Sequence, residues 1–286
     1  MSKLLYLALL VILVSNCLGD LRFSAFNIQT FGVSKMDKPE VVDTLVDIIL
    51  RYDLVLIQEI RDSSGKSIIE LLNEVNEHSS CDPYALEIGA RAGRSSYKEQ
   101  YAFIYKRSKL SVSDKYEYDD GPEGYTPAID EFIREPFVVR FSSPETCVKD
   151  FAVVPIHTSP DFAEAEVDSL TDVYDDVVAK WGIEDVIIAG DFNADCSYIT
   201  SSEWDSIRLR TQTRFDWLIG DDVDTTVSST DCAYDRFVIA GSNMKASYTR
   251  RSAGTFNFDT FYGLSESEAK AVSDHYPIEM TLKSSC

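Results

Sequence analysis

The order of strand-like and helical segments constrains the fold of this 286-residue chain more than any other feature. Eight runs rich in β-branched and aromatic residues have strand character, and helical patterns lie between them. The runs are Leu21–Asn27, Leu54–Glu59, Tyr101–Lys106, Phe137–Phe141, Phe151–His157, Val186–Asp191, Arg236–Ala240 and Tyr276–Leu282. They fall into two similar halves, each starting with strand–helix–strand and later carrying a strand that ends in a histidine.

Helical periodicity marks the segments between these strands. Glu40–Arg51 and Ala163–Trp181 each place apolar residues on one face, and Ser265–Glu268 resembles a capping box that opens a short helix. Two mixed β-sheets packed on each other, with helices on the outer faces, would form a four-layer α/β sandwich. The acidic stretch Tyr116–Asp130, which contains glycines and prolines, is predicted to be a long surface loop between strands. No Gly/Ser/Pro-rich linker separates the halves, which favours a single domain.

The N-terminal segment, residues 1–19, has the pattern of a secretory signal peptide. Lys3 precedes an apolar run from Leu4 to Val14, which is too short to span a membrane. The alternative reading is a buried first helix. We expect the remaining chain, residues 20–286, to be a single secreted domain without stable membrane association.

Five cysteines remain after removal of this segment, so at most two intrachain disulfides can form in an oxidising compartment. Cys196 and Cys232 lie within a few residues of polar motifs and are a candidate pair. A second pair, Cys81 with Cys147, is only a guess, and the sequence alone does not choose a partner for Cys81. Cys286 is the fifth cysteine.

The formal net charge of −21 restricts the partners of this chain. It argues against an acidic polymer held on a broad basic surface. It suits a protein that collects divalent cations, although acidic surfaces usually reflect only solubility.

Histidine is rare, and two of the three histidines are framed by carboxylates. His157 ends a strand-like run, His275 follows Asp274, and a third polar motif, Gly190–Asp195, closes another run. Imidazole transfers protons near neutral pH, and a neighbouring carboxylate orients it. Together with acidic and amide oxygen donors, the two imidazoles indicate metal-assisted attack of water on a phosphate ester. The sequence therefore predicts a hydrolase.

The ordered set of these motifs resembles the secreted deoxyribonuclease I family, within the endonuclease/exonuclease/phosphatase superfold. The resemblance extends over nearly the whole mature chain and includes the phrases Gly190–Tyr198 and Ile207–Thr211. The shorter motifs are Phe26–Gln29, Ile57–Asp62, Ser96–Glu99, His157, Gly190–Asp195, Tyr234–Arg236 and Ser273–Pro277.

This resemblance implies a divalent-cation-dependent endonuclease that cleaves double-stranded DNA with low sequence specificity and leaves 5′-phosphate ends. It implies a Mg²⁺ or Mn²⁺ ion held by Asn27, Glu59 and Asp274. One histidine would help to deprotonate water and the other to protonate the departing 3′ oxygen, with the assignment left open. The implied catalytic residues are Glu99, His157, Asp191, Asn193, Asp235 and His275.

The family pattern also implies DNA contacts and structural Ca²⁺ sites. The DNA-binding residues would be Arg61, Arg94, Tyr97, Arg134, Tyr198 and Tyr234. One Ca²⁺ loop would use Asp224, Thr226 and Thr230. A second, less complete site would use Asp120, Asp130, Phe132 and Glu135.

Some positions depart from the family pattern. Gln29 stands where mammalian enzymes carry arginine, and Gly121–Asp130 lacks the small disulfide of the acidic loop. Ala90 replaces an acidic residue at the actin-contacting edge, which argues against actin binding; the expected state is a monomer. The alternative functions are a phosphodiesterase of this fold acting on a lipid or small phosphoester, and a catalytically inactive binding protein.

Overall fold

A computed structural model describes residues 19–79, 82–121, 130–227 and 229–286. The predicted signal peptide therefore lies almost entirely outside the described residues. The described strands are β1 (Leu21–Phe31), β2 (Leu54–Ile60), β3 (Tyr84–Ile88), β4 (Gln100–Lys106), β5 (Ser111–Glu117), β6 (Phe137–Ser142), β7 (Asp150–His157), β8 (Val186–Asp191), β9 (Asp216–Trp217), β10 (Asp235–Ala240), β11 (Gly254–Thr255) and β12 (Ile278–Leu282). The described α-helices are α1 (Val33–Met36), α2 (Pro39–Leu50), α3 (Lys66–His78), α4 (Ala163–Trp181), α5 (Arg208–Thr211), α6 (Ser242–Ser247), α7 (Phe258–Tyr262) and α8 (Glu266–Val272).

The strands form two six-stranded mixed sheets with the same internal pattern. The first has the order β11-β12-β1-β2-β4-β3, and the second has the order β5-β6-β7-β8-β10-β9. One parallel pair lies inside each sheet, β1 with β2 and β7 with β8, and every other pairing is antiparallel. The two halves are thus similar, except that the C-terminal strands β11 and β12 complete the first sheet.

Three apolar clusters hold four layers together. Phe23, Phe103, Phe141 and Phe237 belong to the cluster that contains side chains from both sheets. A second cluster joins the first sheet to α2, α3 and α8, and a third joins the second sheet to α4. Burial of these apolar faces is the main favourable term in folding. The predicted four-layer α/β sandwich is confirmed.

Several element boundaries differ from the sequence prediction. The strand β5 contains Tyr116, so the predicted loop begins later. This edge strand is mostly exposed and has only two apolar residues, Val112 and Tyr116, so a search for apolar runs does not find it. Residues 122–129 of that loop lie outside the described residues. His275 lies before β12 and does not end a strand, and β12 begins only at Ile278 because Pro277 cannot donate a ladder hydrogen bond.

Two disulfides occur among the described residues. One joins Cys196 to Cys232, the pair that the sequence predicted. The other joins Cys147 to Cys286, so the guess that Cys147 pairs with Cys81 was wrong. The physical reason is sheet closure: the C-terminal segment runs beside Cys147, whose backbone N–H donates to the carbonyl of Lys283. Cys81 lies outside the described residues.

The helices of the described ranges include none that is long and apolar enough to cross a bilayer.

Candidate active site

Strand alternation places the polar residues of the site between the two sheets. In β1, Phe23 and Ala25 point into the cluster between the sheets, and Asn27 continues that alternation beyond the apolar part of the strand. Asp191 at the end of β8 and Asp235 at the start of β10 also occupy inward-facing positions of their strands, and they are ladder partners. The site therefore forms where the apolar space between the sheets ends.

The first carboxylate–imidazole pair consists of His157 and Glu99. His157 Nδ1 donates to Glu99 Oε2 at 2.8 Å, and both residues are buried. Burial opposes ionisation of Glu99, but the bond from His157 and the charge of Arg134 outweigh it and lower the pKa of Glu99 to about 2. Glu99 is therefore an anion at neutral pH and fixes the orientation of the imidazole.

The second pair consists of His275 and Asp235, joined by a 2.7 Å bond between Nδ1 and Oδ2. Burial acts to lower the pKa of His275, but the carboxylates of Asp235 and Asp191 dominate and hold it well above the ordinary value. Burial raises the pKa of Asp235 to about 6 against the opposing charge of His275. Asp235 therefore holds this imidazole through Nδ1, as Glu99 holds the first one.

Both imidazoles face the same carboxylate oxygen. Asp191 Oδ2 lies 3.5 Å from His157 Nε2 and 3.6 Å from His275 Nε2, and it accepts a bond from Asn27 Nδ2 at 3.1 Å. Asn193 completes this centre, since its N–H donates to Asp191 Oδ1 at 3.0 Å. Two proton-transfer groups thus converge on one point, as a displacement at phosphorus requires.

The residues predicted to hold a metal ion lie beside this centre. Glu59 Oε1 accepts from Asn27 Nδ2 at 3.0 Å, and Asp274 Oδ2 accepts from Gln29 Nε2 at 2.7 Å. Asp274 Oδ1 is buried and has no hydrogen-bond partner among the described residues, a state that a bound cation would satisfy. Carboxylate and amide oxygens are the donors that hard cations prefer. The donor set therefore fits a divalent cation.

The sequence matches the Endonuclease/Exonuclease/phosphatase family over residues 24–275. It is 49% identical over 281 residues to the Deoxyribonuclease-1 of Oryctolagus cuniculus, covering 98% of this chain and 99% of that protein. The chain belongs to the deoxyribonuclease I family. Other deoxyribonuclease I relatives include those of Mus musculus, at 51% over 265 residues (93% of this chain, 92% of that protein), and Gallus gallus, at 46% over 283 residues (99% of each).

Solved structures with low sequence identity share the fold of this deoxyribonuclease I-family chain. The human Nocturnin catalytic domain with bound sulfate has a TM-score of 0.64 at 14% identity, covering 92% of this chain and 93% of that chain. An endonuclease/exonuclease/phosphatase from Bacteroides vulgatus has a TM-score of 0.62 at 17% identity, covering 92% and 98%. These matches show a shared fold and do not show a shared substrate.

The predicted DNA-binding residues of this deoxyribonuclease I-family chain occupy two kinds of position. Tyr97 is 43% exposed, and the Arg61 guanidinium lies 3.2 Å from its ring centroid, a cation–π stack. Tyr198 is also exposed and lies 5.3 Å from the ring of Tyr234. The Tyr234 ring, which is half-buried, lies 6.3 Å from that of His275, so the two tyrosine rings extend from the surface to the second imidazole.

The other two predicted DNA-binding arginines point into the protein. Arg134 is buried, and its guanidinium donates to the carbonyls of His157 and Thr158, each at 2.8 Å. Its Nε also lies 3.7 Å from Glu99 Oε2. Arg94 donates to Asp130 Oδ2 at 2.8 Å. These contacts place Arg134 behind the first imidazole and Arg94 against the acidic loop.

The two predicted calcium loops each bring oxygen atoms together. Asp224 Oδ1 accepts from the Thr226 N–H at 2.9 Å, and the Thr226 hydroxyl oxygen lies 2.8 Å from Asp224 Oδ1 and within hydrogen-bond distance of the Thr230 carbonyl, with one proton to donate to either. In the second loop, Asp120, Asp130 and Glu135 offer ligand atoms within 4.8 Å of one another. The Phe132 N–H donates to Asp120 Oδ2 at 2.7 Å, while its ring is buried. Acidic groups that could hold a metal ion are therefore present.

Sequence reasoning missed several polar residues that support the site. Gln58 bridges the sheets, donating to the carbonyl of Ile156 at 2.6 Å and accepting from the Asp191 N–H at 3.1 Å. Lys35 is buried, and burial lowers its pKa to about 8 although Asp274 and Glu59 oppose this. The position of Gln58 directly before Glu59, a predicted metal ligand, was a signal for Gln58, whereas nothing in the sequence of α1 distinguishes Lys35.

Proposed function

We propose that this chain is a secreted, divalent-cation-dependent endonuclease that hydrolyses double-stranded DNA with low sequence specificity and leaves 5′-phosphate ends. One observation carries the proposal: two carboxylate-bound imidazoles aim their Nε2 atoms at a single oxygen of Asp191. The 46–52% identity to Deoxyribonuclease-1 proteins supports DNA as the substrate.

The two imidazoles perform the proton transfers in this proposal. One takes a proton from the attacking water, and the other gives a proton to the departing 3′ oxygen. Glu99 and Asp235 hold their imidazoles through Nδ1, so both Nε2 atoms face the substrate phosphate. Such positioned acid–base groups contribute on the order of 10²–10⁴-fold to a rate.

Asp191 and Asn193 would face the substrate phosphate, and the Asn193 side-chain amide would donate to one of its oxygens. Asn193 Nδ2 donates to the carbonyl of Thr158 at 3.0 Å, which fixes its amide at the rim of the site. Fixed amide donors stabilise charge that develops on a phosphate oxygen.

Asn27, Glu59 and Asp274 would hold a Mg²⁺ or Mn²⁺ ion. When bound, the ion would neutralise charge on the phosphate and assist attack by water. Structural Ca²⁺ would occupy the loop of Asp224, Thr226 and Thr230 and, in a second site, the group of Asp120, Asp130, Phe132 and Glu135.

DNA would be bound by a few side chains rather than by a basic face, in keeping with the net charge of −21. The exposed Arg61–Tyr97 stack suits a minor groove, and Tyr198 with Tyr234 suits the backbone beside His275. Such contacts carry little base information, so cleavage would follow groove shape more than sequence. A small phosphoester gives no role to an exposed stack of this kind. Arg134 would hold the backbone of His157 from behind the site, and Arg94 would hold Asp130 of the acidic loop.

We also infer that residues 20–286 form one catalytic domain that acts as a monomer after removal of residues 1–19. Strands from both ends of the chain share the first sheet, which supports a single domain. The two disulfides suit an oxidising, extracellular compartment.

A zymogram containing double-stranded DNA tests the proposal. We expect a cleared band in Mg²⁺ with Ca²⁺ and none in EDTA. Clearing that persists in EDTA, or hydrolysis of a phospholipid headgroup with DNA left intact, would contradict it.

A further inference from the structure

The second carboxylate–imidazole pair is held by a buried threonine that none of the assigned roles includes. Thr225 has no exposed surface and lies between Asp224 and Thr226 of the first predicted calcium loop. Neither the acid–base chemistry nor the cation sites use its side chain. Its hydrogen bonds nevertheless reach both chain segments that carry Asp235 and His275.

The Thr225 hydroxyl serves the segment of Asp235. Its Oγ1 accepts from two consecutive backbone amides, Tyr234 N–H at 3.0 Å and Asp235 N–H at 3.2 Å, and donates to the carbonyl of Cys232 at 3.2 Å. Both lone pairs and the proton of the hydroxyl are thereby used. A buried amide that loses its acceptor is costly, so this hydroxyl fixes where β10 begins.

The backbone of the same residue serves the segment of His275. The carbonyl of Thr225 accepts from the Tyr276 N–H at 2.8 Å, and the next residue, Thr226, forms an isolated β-bridge with His275. One residue therefore sets the separation of the two ends of the 2.7 Å bond between His275 Nδ1 and Asp235 Oδ2.

We propose that Thr225 is a positioning residue for the Asp235–His275 pair, acting through its hydroxyl on the backbone of Asp235. This rests on the proposed nuclease function. Because the hydroxyl touches neither substrate nor cation, its loss lowers turnover and leaves DNA binding unchanged. A displacement of the imidazole by about 1 Å is enough to cost on the order of 10²-fold in rate.

Three variants test the proposal in saturating Mg²⁺ and Ca²⁺, at a temperature where each is folded. Thr225→Val keeps the shape of the side chain and removes the hydroxyl. Thr225→Ser retains the hydroxyl and removes the methyl group, and Thr171→Val is the matched control. Thr171 is a buried threonine of α4 whose hydroxyl has no hydrogen-bond partner among the described residues. We expect Thr225→Val to lower kcat by about tenfold or more with KM nearly unchanged, and the other two variants to keep kcat within about threefold of wild type.

A folded Thr225→Val with wild-type kcat would overturn the proposal, as would a folded Thr225→Ser that stays as slow as Thr225→Val. If Thr225→Val does not fold, Thr225→Ala provides the same measurement without a methyl group against the two amides. Failure of both to fold would show a structural role only and also overturn it. Absence of DNA cleavage by wild type and Thr171→Val would contradict the proposed function instead.

Discussion

At the scale of single residues, the site is built from two carboxylate–imidazole pairs with the same hydrogen-bond arrangement. Each pair anchors an imidazole through Nδ1 to a buried carboxylate and leaves Nε2 facing Asp191. The surroundings of the carboxylates differ: the pKa of Glu99 is lowered, whereas that of Asp235 is raised by burial. The two imidazoles are therefore not equivalent, which suits a reaction that needs both an acid and a base.

Removal of either imidazole tests this arrangement. We expect His157→Ala and His275→Ala each to lower the rate of DNA cleavage by on the order of 10²–10⁴-fold, because each removes a general acid–base group. His78→Ala is the control, since His78 is exposed at the end of α3 and, among the described residues, is hydrogen-bonded to the Glu74 carbonyl of its own helix. Circular dichroism checks folding. Losses below about tenfold in both folded variants would exclude this role.

A second prediction concerns Glu166, which is fully buried on α4 and accepts from the Ser159 N–H at 3.3 Å. Burial raises its pKa from 4.5 to about 7, against the opposing charge of Arg134. Between these values the folded state keeps a proton that the unfolded state has released, so stability falls as pH rises through this window.

Glu166→Gln removes this pH dependence. We expect the free energy of unfolding of the variant, relative to wild type, to increase by about 2 kcal/mol from about pH 5 to about pH 8. Urea unfolding of both proteins at the two pH values measures it. A difference that does not change with pH would show that Glu166 ionises normally in the folded protein.

At the scale of elements, each sheet contributes polar residues where its inward-facing apolar positions end. The sequence indicated the two layers of sheet, the helices α2 and α4 and the histidine motifs, because apolar periodicity and rare residue types are local signals. Both α4 (Ala163–Trp181) and the capping box at Ser265 were predicted correctly. Edge strand β5 was missed because its exposed surface needs no apolar face.

Contacts between segments that are distant in the chain could not be predicted from local sequence patterns. The Cys147–Cys286 disulfide and the bridge between Thr226 and His275 depend on how the C-terminal strands return to the first sheet. Arg134 illustrates the same limit: its bonds to the carbonyls of His157 and Thr158 depend on tertiary packing, and its predicted contact with DNA stays a prediction.

The loop that contains Asp224 is the element on which Ca²⁺ should act. We expect Ca²⁺ to raise the melting temperature by several degrees and to increase resistance to trypsin, because a ligand that binds only the folded state stabilises it by about 2–3 kcal/mol at a hundred times its Kd. Mg²⁺ alone should protect less, because it requires tighter octahedral geometry.

Asp224→Ala should abolish most of this Ca²⁺-dependent protection and keep measurable activity in excess Mg²⁺. Asp222→Ala, which changes an exposed carboxylate two residues away, should retain the protection. Thermal melts and timed trypsin digests with and without Ca²⁺ measure the effect. An unchanged melting temperature of the wild type in Ca²⁺ would rule out a structural ion in this loop.

At the scale of the whole molecule, two similar six-stranded sheets close on one polar centre in a strongly acidic chain. One histidine comes from each region: His157 from the second sheet and His275 from the segment that leads back into the first. The site therefore exists only when both sheets are packed together. Its catalytic power depends on the complete fold rather than on either half.

The most direct test of the account is to cleave double-stranded DNA in ¹⁸O-labelled water and analyse the product ends. Attack of water on phosphorus with departure of the 3′ oxygen predicts 5′-phosphate and 3′-hydroxyl ends, with one solvent oxygen in each new 5′-phosphate. Ends that carry 3′-phosphate, or 5′-phosphates without solvent oxygen, would contradict it.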